Sequence, residues 1–238
     1  MSKWELTTYT KLSPNHSGKR THTIDRITPH CVVGQLSCES ICNCFVNRER
    51  KASCNYGIGA DGRIALCVDE DNRSWCSSSN ANDQRAITIE CASDKTAPYA
   101  MNTAVYDSLV ALCVDICKRY GKTKLLWIAD KNKALAYQPA PNEMLLTVHR
   151  WFANKSCPGD WLYTRLTDLA TTVTRKLQAD TTVQNRYSYD NTVEHMIIDG
   201  VTDTANMAIW ERMLDGRDPL NKDYVRTIFD RYHILRKR

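Results

Sequence analysis

The stretch from Leu146 to Gly159 holds the residue types best suited to metal chemistry. His149 ends an apolar run, and Cys157 follows eight residues later within Lys-Ser-Cys-Pro-Gly. Imidazole and thiolate groups are both good zinc ligands. His30 ends another apparent strand and is the candidate for a third ligand. Three protein ligands would leave the fourth tetrahedral position to water, which distinguishes a catalytic zinc site from a structural one.

Spacing alone does not decide whether these three residues bind a metal. A single histidine is more often a structural or surface residue than a ligand, so His30 by itself carries little weight. Cys157 has a simpler interpretation as a buried thiol. Both alternatives stay open on the residue types alone.

The sequence has 11 cysteines, an odd number, between Cys31 and Cys157. A secreted disulfide scaffold is usually short with an even count, so we predict that most of these thiols are reduced and buried. Cys38, Cys42 and Cys44 are spaced for one side of a helix, and no second cysteine pair follows at zinc-ribbon spacing. This favours packing over metal binding for these three residues.

Strands alternating with helices would position the candidate ligands. Residues 22–33 predict a strand that ends near His30, and residues 86–91 predict another. Asp61-Gly62 between apolar runs predicts a hairpin. Helical spacing of apolar residues predicts helices over 36–46, between Asn102 or Thr103 and Gly121, and over 161–177. This pattern predicts an α/β domain, a central mixed β-sheet flanked by helices.

The C-terminal part of the chain has a different composition. We assign residues 1–180 to the α/β domain, polar residues 181–192 to a linker, and residues 193–238 to a small three-helix module. Nine Lys/Arg and nine Asp/Glu follow residue 184, so the whole formal charge of +5 lies before them. The module therefore has no net charge with which to adhere to an anionic polymer.

Charge and hydropathy exclude two classes of partner. A basic domain favours anionic polymers, but no Lys/Arg run with interleaved aromatic residues appears, so we predict no nucleic-acid partner. No apolar run approaches the roughly 20 residues of a membrane helix, so we predict no membrane insertion. The first residues lack an apolar signal core. We therefore expect the protein to be cytoplasmic until the membrane is permeabilised, and to act on the cell wall afterwards.

Three blocks in order carry a family resemblance: Ile27-Thr-Pro-His30; the hairpin from Cys54 to Ile64, running on to Ala86-Ile-Thr-Ile-Glu90; and His149 with Lys155-Ser-Cys157-Pro-Gly. Together they resemble the type 2 N-acetylmuramoyl-L-alanine amidases, a family shared by phage endolysins, bacterial autolysins and peptidoglycan recognition proteins. The resemblance covers roughly residues 20–178. The third block is specific, whereas the hairpin block alone would be weak.

The resemblance implies a set of site residues. His30, His149 and Cys157 would bind Zn²⁺, and a zinc-activated water would attack the amide between N-acetylmuramic acid and the first L-alanine of the stem peptide. Lys155 would stabilise the oxyanion, although spacing alone favours a solvated surface lysine. Glu90 would be the general base and proton shuttle, or else an edge-strand charge or salt-bridge partner. Tyr56 would donate a hydrogen bond to the intermediate, or else be an ordinary strand residue.

One segment departs from the family pattern. Many relatives carry a Trp-His pair that follows the hairpin and faces the substrate groove, whereas this chain has Ser74-Trp75-Cys76-Ser77. We predict that Trp75 contacts substrate, with a core aromatic as the alternative. The missing histidine puts the details of substrate contact in doubt and leaves the metal ligands intact.

The resemblance implies an endolysin-like peptidoglycan hydrolase from a phage or prophage, or a bacterial autolysin. The alternative is a non-catalytic peptidoglycan-binding protein on the same fold. Binding-only members of this family typically lose the cysteine ligand, which is present here as Cys157. For residues 193–238 we predict a module that binds the cell wall, with a secondary cell-wall polymer as a further partner, or else a helical appendage for packing or dimerisation.

Overall fold

The structure, a computed structural model, describes residues 5–186 and Arg212. The chain divides into two compact units, Met1–Gln178 and Ala179–Arg238, and most of the described residues belong to the first. The predicted three-helix module at 193–238 lies outside the described residues, Arg212 apart, and stays a prediction from the sequence. No helix within the described ranges has the length and apolar character needed to cross a bilayer.

The first unit is built on a mixed β-sheet. Its strands run in the order β1-β5-β4-β7-β3-β9-β8. Only the β4–β5 pair is antiparallel, and the other neighbours are parallel. A separate antiparallel pair joins β2 and β6. The strands are β1 (Thr7–Thr10), β2 (His16–Lys19), β3 (Arg26–Cys31), β4 (Tyr56–Ile58), β5 (Ile64–Leu66), β6 (Asn72–Ser74), β7 (Ala86–Cys91), β8 (Lys124–Leu126) and β9 (Glu143–Leu146).

Helices cover both faces of this sheet, as the sequence predicts. They are α1 (Cys38–Asn43), α2 (Asn80–Arg85), α3 (Thr103–Arg119), α4 (Lys131–Ala136), α5 (Asp160–Tyr163) and α6 (Leu166–Arg186). The apolar sides of α3 and α6 join Ile58 and Ile89 in the main core. On the other face α1 packs so closely on Gly57 that a Cβ there would lie 2.7 Å from Ile41. A side chain at residue 57 would therefore separate α1 from the sheet.

Local signals place the central elements. Asn102 caps α3 by accepting a hydrogen bond from the Val105 amide at 3.0 Å, and Gly121 follows its end with a φ of +65°. The predicted hairpin is present as β4 and β5, with Gly62 at a φ of +83°. Because both glycines lie in the left-handed region, any other residue would be strained there.

Two boundaries differ from the predictions. The single helix expected over 161–177 is divided into α5 and α6, and α6 continues to Arg186. Residues 181–186, predicted as the start of a linker, are therefore helical. This segment is polar but contains neither glycine nor proline, so nothing in it stops a helix that is already formed.

The expectation that most of the thiols are reduced is confirmed, with one pair as the exception. Cys42 and Cys67 form a disulfide between α1 and the residue after β5, with Cα atoms 5.3 Å apart. The other nine cysteines are free. Cys38 is buried with Ile41 and Phe45, which agrees with a packing role. Cys44 is exposed instead.

Candidate metal centre and cleft

The three predicted ligands meet at the carboxyl edge of the sheet. His30 is the penultimate residue of β3, and His149 starts a 3₁₀ turn shortly after β9. Because β3 and β9 are adjacent parallel strands, both end at the same edge. Cys157 lies in the loop before α5, and the backbone carbonyl of Cys157 accepts a hydrogen bond from the Arg150 amide at 3.1 Å. That bond ties the cysteine loop to the turn that carries His149.

The geometry of these residues suits a metal ion. One donor atom from each of His30, His149 and Cys157 lies within 4.8 Å of the others. Cys157 Sγ is 3.3 Å from His30 Nδ1, close to the sulfur–nitrogen separation of about 3.5 Å that tetrahedral zinc imposes. His30 is buried, and its Nε2 makes no hydrogen bond with any described residue. A buried imidazole whose one hydrogen-bond partner among the described residues is the thiol of another candidate ligand fits a metal ligand better than a structural residue.

Burial keeps both imidazoles neutral, which is the form that binds metals. It lowers the pKa of His30 well below the usual value, and the nearby His149 lowers it further. Burial also lowers the pKa of His149, as does the charge of Lys155. The hydrogen bond with Cys31 and burial raise the pKa of the Cys157 thiol. Metal binding must therefore displace a proton from Cys157, the usual coupling for a thiolate ligand.

Glu90 lies beside the three ligands. It is on β7, directly opposite His30 in the parallel pairing of β7 with β3. Its Oε1 accepts a hydrogen bond of 3.8 Å from Cys76 Sγ, whereas the buried Oε2 has no partner among the described residues. Burial raises the pKa of Glu90 to about 7, against a smaller lowering by Cys76. A carboxyl group with a pKa near neutrality suits proton transfer.

Cys76 is a site residue that the sequence analysis missed. His30, Cys76 and Glu90 form a second set of donor atoms within 4.8 Å of one another. The available signal was the departure from the family pattern, because Cys76 stands where many relatives carry the histidine of a Trp-His pair. The replacement puts a thiol against the carboxylate of Glu90.

A cleft of about 660 Å³ opens beside these groups. Lys155, Trp75 and Glu90 line it together with His149 and Cys157. Trp75 is half-buried, and its Nε1 donates a hydrogen bond to Ser17 Oγ at 2.6 Å. Trp75 is therefore at the cleft surface rather than in the core. The structure thus brings six of the seven predicted site residues to one place.

The structure does not bring Tyr56 to this cleft. Tyr56 pairs with Ile89, one residue before Glu90, so its side chain leaves the opposite face of the sheet. There its hydroxyl donates to Glu70 Oε1 at 2.7 Å, and Glu70 also accepts from Arg119 and Tyr120. Burial and the Glu70 carboxylate both raise the pKa of Tyr56. The expected hydrogen bond from Tyr56 to a reaction intermediate is therefore wrong.

Comparison with known proteins gives one family match. Residues 20–160 match a protein-family model described as N-acetylmuramoyl-L-alanine amidase. No curated protein matches the sequence.

Solved structures resemble the chain at low identity. The Staphylococcus aureus hydrolase AmiA, solved in complex with its ligand, is 14% identical, with 73% of this chain and 84% of that one covered and a TM-score of 0.51. An AmpD derivative is 17% identical, covering 70% of this chain and 95% of that one, with a TM-score of 0.49. A mutant endolysin from Bacillus subtilis is 14% identical, covering 69% and 97%, with a TM-score of 0.49. The likeness to AmiA shows a shared fold.

Proposed function

This chain belongs to the N-acetylmuramoyl-L-alanine amidase family, whose model matches residues 20–160, and from that premise we propose that it is a zinc-dependent peptidoglycan amidase. The bond cut would be the amide between N-acetylmuramic acid and the first L-alanine of the stem peptide. One observation carries the proposal: the donor atoms of His30, His149 and Cys157 converge within 4.8 Å at a cleft that Glu90 and Lys155 also line.

The three convergent side chains would hold the metal. Neutral imidazole and thiolate are both zinc ligands, and three protein ligands leave one tetrahedral position for solvent or substrate. When bound, zinc supplies a Lewis acid that polarises the amide carbonyl and lowers the pKa of a bound water to about 7. The cleft walls would hold the glycan and the stem peptide, with the exposed part of Trp75 available to stack on a sugar ring.

Glu90 would move the proton in this reaction. Its carboxylate would take a proton from the attacking water as the new carbon–oxygen bond forms. It would then give that proton to the alanine nitrogen as the carbon–nitrogen bond breaks, so that the amine leaves neutral. Burial supports this role because it raises the pKa of Glu90 to about 7, where one group both accepts and donates a proton.

Lys155 would stabilise the negative charge that develops on the carbonyl oxygen. Lys155→Ala should keep zinc but lower kcat by roughly 10²-fold, the usual cost of removing one oxyanion partner. Zinc content and kcat on labelled peptidoglycan would be measured together. Lys95→Ala is the matched control, because Lys95 is exposed and does not line the cleft. Full activity in Lys155→Ala would remove the role assigned to Lys155.

The bond specificity has a direct test. Purified peptidoglycan would be digested by the zinc-loaded protein, with and without a chelator, and the products analysed by mass spectrometry. We expect free stem peptides with a new N-terminal alanine, and none after chelation. A zinc-loaded, folded protein that binds peptidoglycan but releases no peptide would leave the non-catalytic binding protein as the function. Cleavage of a glycosidic bond would contradict both.

Tyr56 provides a negative control for the site. Tyr56→Phe removes one of the hydrogen bonds to the buried Glu70 carboxylate, so the free energy of unfolding should fall by about 1–3 kcal/mol. The activity of the folded protein should be unchanged, because the side chain lies on the face away from the cleft. Urea denaturation and peptidoglycan hydrolysis would check the two effects. Loss of activity without loss of stability would restore a catalytic role for Tyr56.

A further inference from the structure

We propose that Ser78 is a positioning residue for the metal centre: its hydroxyl accepts a hydrogen bond from Nε2 of His149 and so presents Nδ1 of that ring to the zinc ion. The proposal rests on the zinc-dependent function above and adds a residue that no sequence motif marks. It also assigns the nitrogen through which His149 binds.

The contact itself is direct. Ser78 Oγ lies 3.0 Å from His149 Nε2. A neutral imidazole carries one proton, so a ring that donates from Nε2 has its lone pair on Nδ1. Metal-binding histidines almost always donate their second ring nitrogen to an oxygen in this way, which fixes both the tautomer and the ring orientation. Ser78 supplies that oxygen for His149.

Ser78 is held in place by the backbone around it. Its φ of +61° lies in the left-handed region, which residues other than glycine rarely adopt. The two preceding residues are fixed by Asp83, which accepts hydrogen bonds from the amides of Cys76 and Ser77 at 3.1 and 3.2 Å. Asp83 also accepts from the Ser77 hydroxyl at 2.6 Å. A buried carboxylate with three donors therefore sets the direction in which Ser78 points.

The same hydrogen bonds extend to the segment between β9 and the 3₁₀ turn that His149 starts. Asn82 Nδ2 donates to Ser77 Oγ at 3.2 Å, and Asn82 Oδ1 accepts from Thr147 Oγ1 at 3.0 Å. Thr147 lies two residues before His149 and is fully buried. Residues adjacent to Ser78 and close to His149 are thus joined by one buried hydrogen-bond network. That network holds the two segments whose side chains meet at 3.0 Å.

Zinc affinity of the full chain tests the proposal. Ser78→Gly removes the hydroxyl and suits the positive φ, and Ser78→Ala removes the hydroxyl alone. Both should weaken zinc binding by about 10-fold, the lower end of the effect of losing such a partner, in competition with a chromophoric chelator. Ser40→Ala, at an exposed serine of α1 that does not line the cleft, should leave the affinity unchanged. Thermal unfolding of the metal-free variants shows whether they remain folded, so that a weaker zinc affinity can be attributed to the lost hydroxyl.

A second readout is specific to positioning. The ¹⁵N chemical shifts of His149 in the zinc-loaded wild type should show a metal on Nδ1 and a proton on Nε2. A metal on Nε2, or a zinc affinity of Ser78→Gly within twofold of wild type, would overturn the proposal and leave the zinc amidase intact. A wild-type chain that binds no zinc would overturn the proposed function and, with it, this inference.

Discussion

Cys157→Ser should lose zinc and hydrolysis together. A serine hydroxyl stays protonated at neutral pH and is a poor zinc ligand, so only the two imidazoles would remain. We expect zinc content near zero per chain and peptidoglycan hydrolysis at the background rate, measured by metal analysis and dye release on the same sample. The substitution is close in size, and Cys157 is only half-buried, so the fold should persist.

A different cysteine provides the control for this experiment. Cys113→Ala removes a free thiol from the core that does not line the cleft, and should keep both zinc and activity. A Cys157→Ser protein that still binds one zinc ion and still releases stem peptides would contradict the ligand set. A protein with zinc but no hydrolysis would assign Cys157 to the reaction and remove it from the ligands.

Glu90→Gln should separate zinc binding from turnover. The amide cannot take up the proton, so kcat should fall by about 10²–10⁴-fold, the range for loss of a general base, while zinc content stays at the wild-type level. Because burial disfavours the charged carboxylate at this position, the neutral amide should not lower stability. Metal analysis, kcat and thermal unfolding of the variant would check the three expectations.

The pH dependence of the wild type tests the same role. The raised pKa of about 7 means that Glu90 is protonated below pH 7 and ionised above it. Since the base must be ionised to take a proton from water, kcat/KM should rise as the pH increases through about 7. In Glu90→Gln, kcat/KM should no longer rise over this pH range. If the variant keeps both this rise and most of the wild-type kcat, another group transfers the proton.

The candidate metal ligands could be predicted because their chemistry agrees with their positions at strand ends. His30 lies near the end of β3 and His149 lies shortly after β9, and adjacent parallel strands end at the same edge of the sheet. Cys157 was predicted from the local motif Lys-Ser-Cys-Pro-Gly. The sequence does not reveal the register between β3 and β9. That register pairs Ile27 with Leu146 and so aligns the two strand ends.

Other features of the structure depend on contacts between distant residues, which no local sequence pattern reveals. The prediction that Tyr56 lies in the cleft failed because side chains alternate between the two faces of a strand. A motif match does not state which of those faces lines the cleft. The disulfide joins Cys42 to a residue 25 positions away, which spacing alone does not reveal. Ser78 is one serine of a Ser-Ser-Ser run, and its proposed role depends on the hydrogen bonds that Asp83 accepts from the preceding residues.

The sheet also separates the candidate site from the connection between α4 and β9. The two candidate histidine ligands and Glu90 lie at or just beyond the carboxyl ends of β3, β9 and β7, whereas residues 137–142 enter β9 at its amino end. Insertions or fused peptides in that connection would extend away from the substrate. An affinity tag or a fused peptide inserted there would be at the opposite edge of the sheet from the candidate ligands.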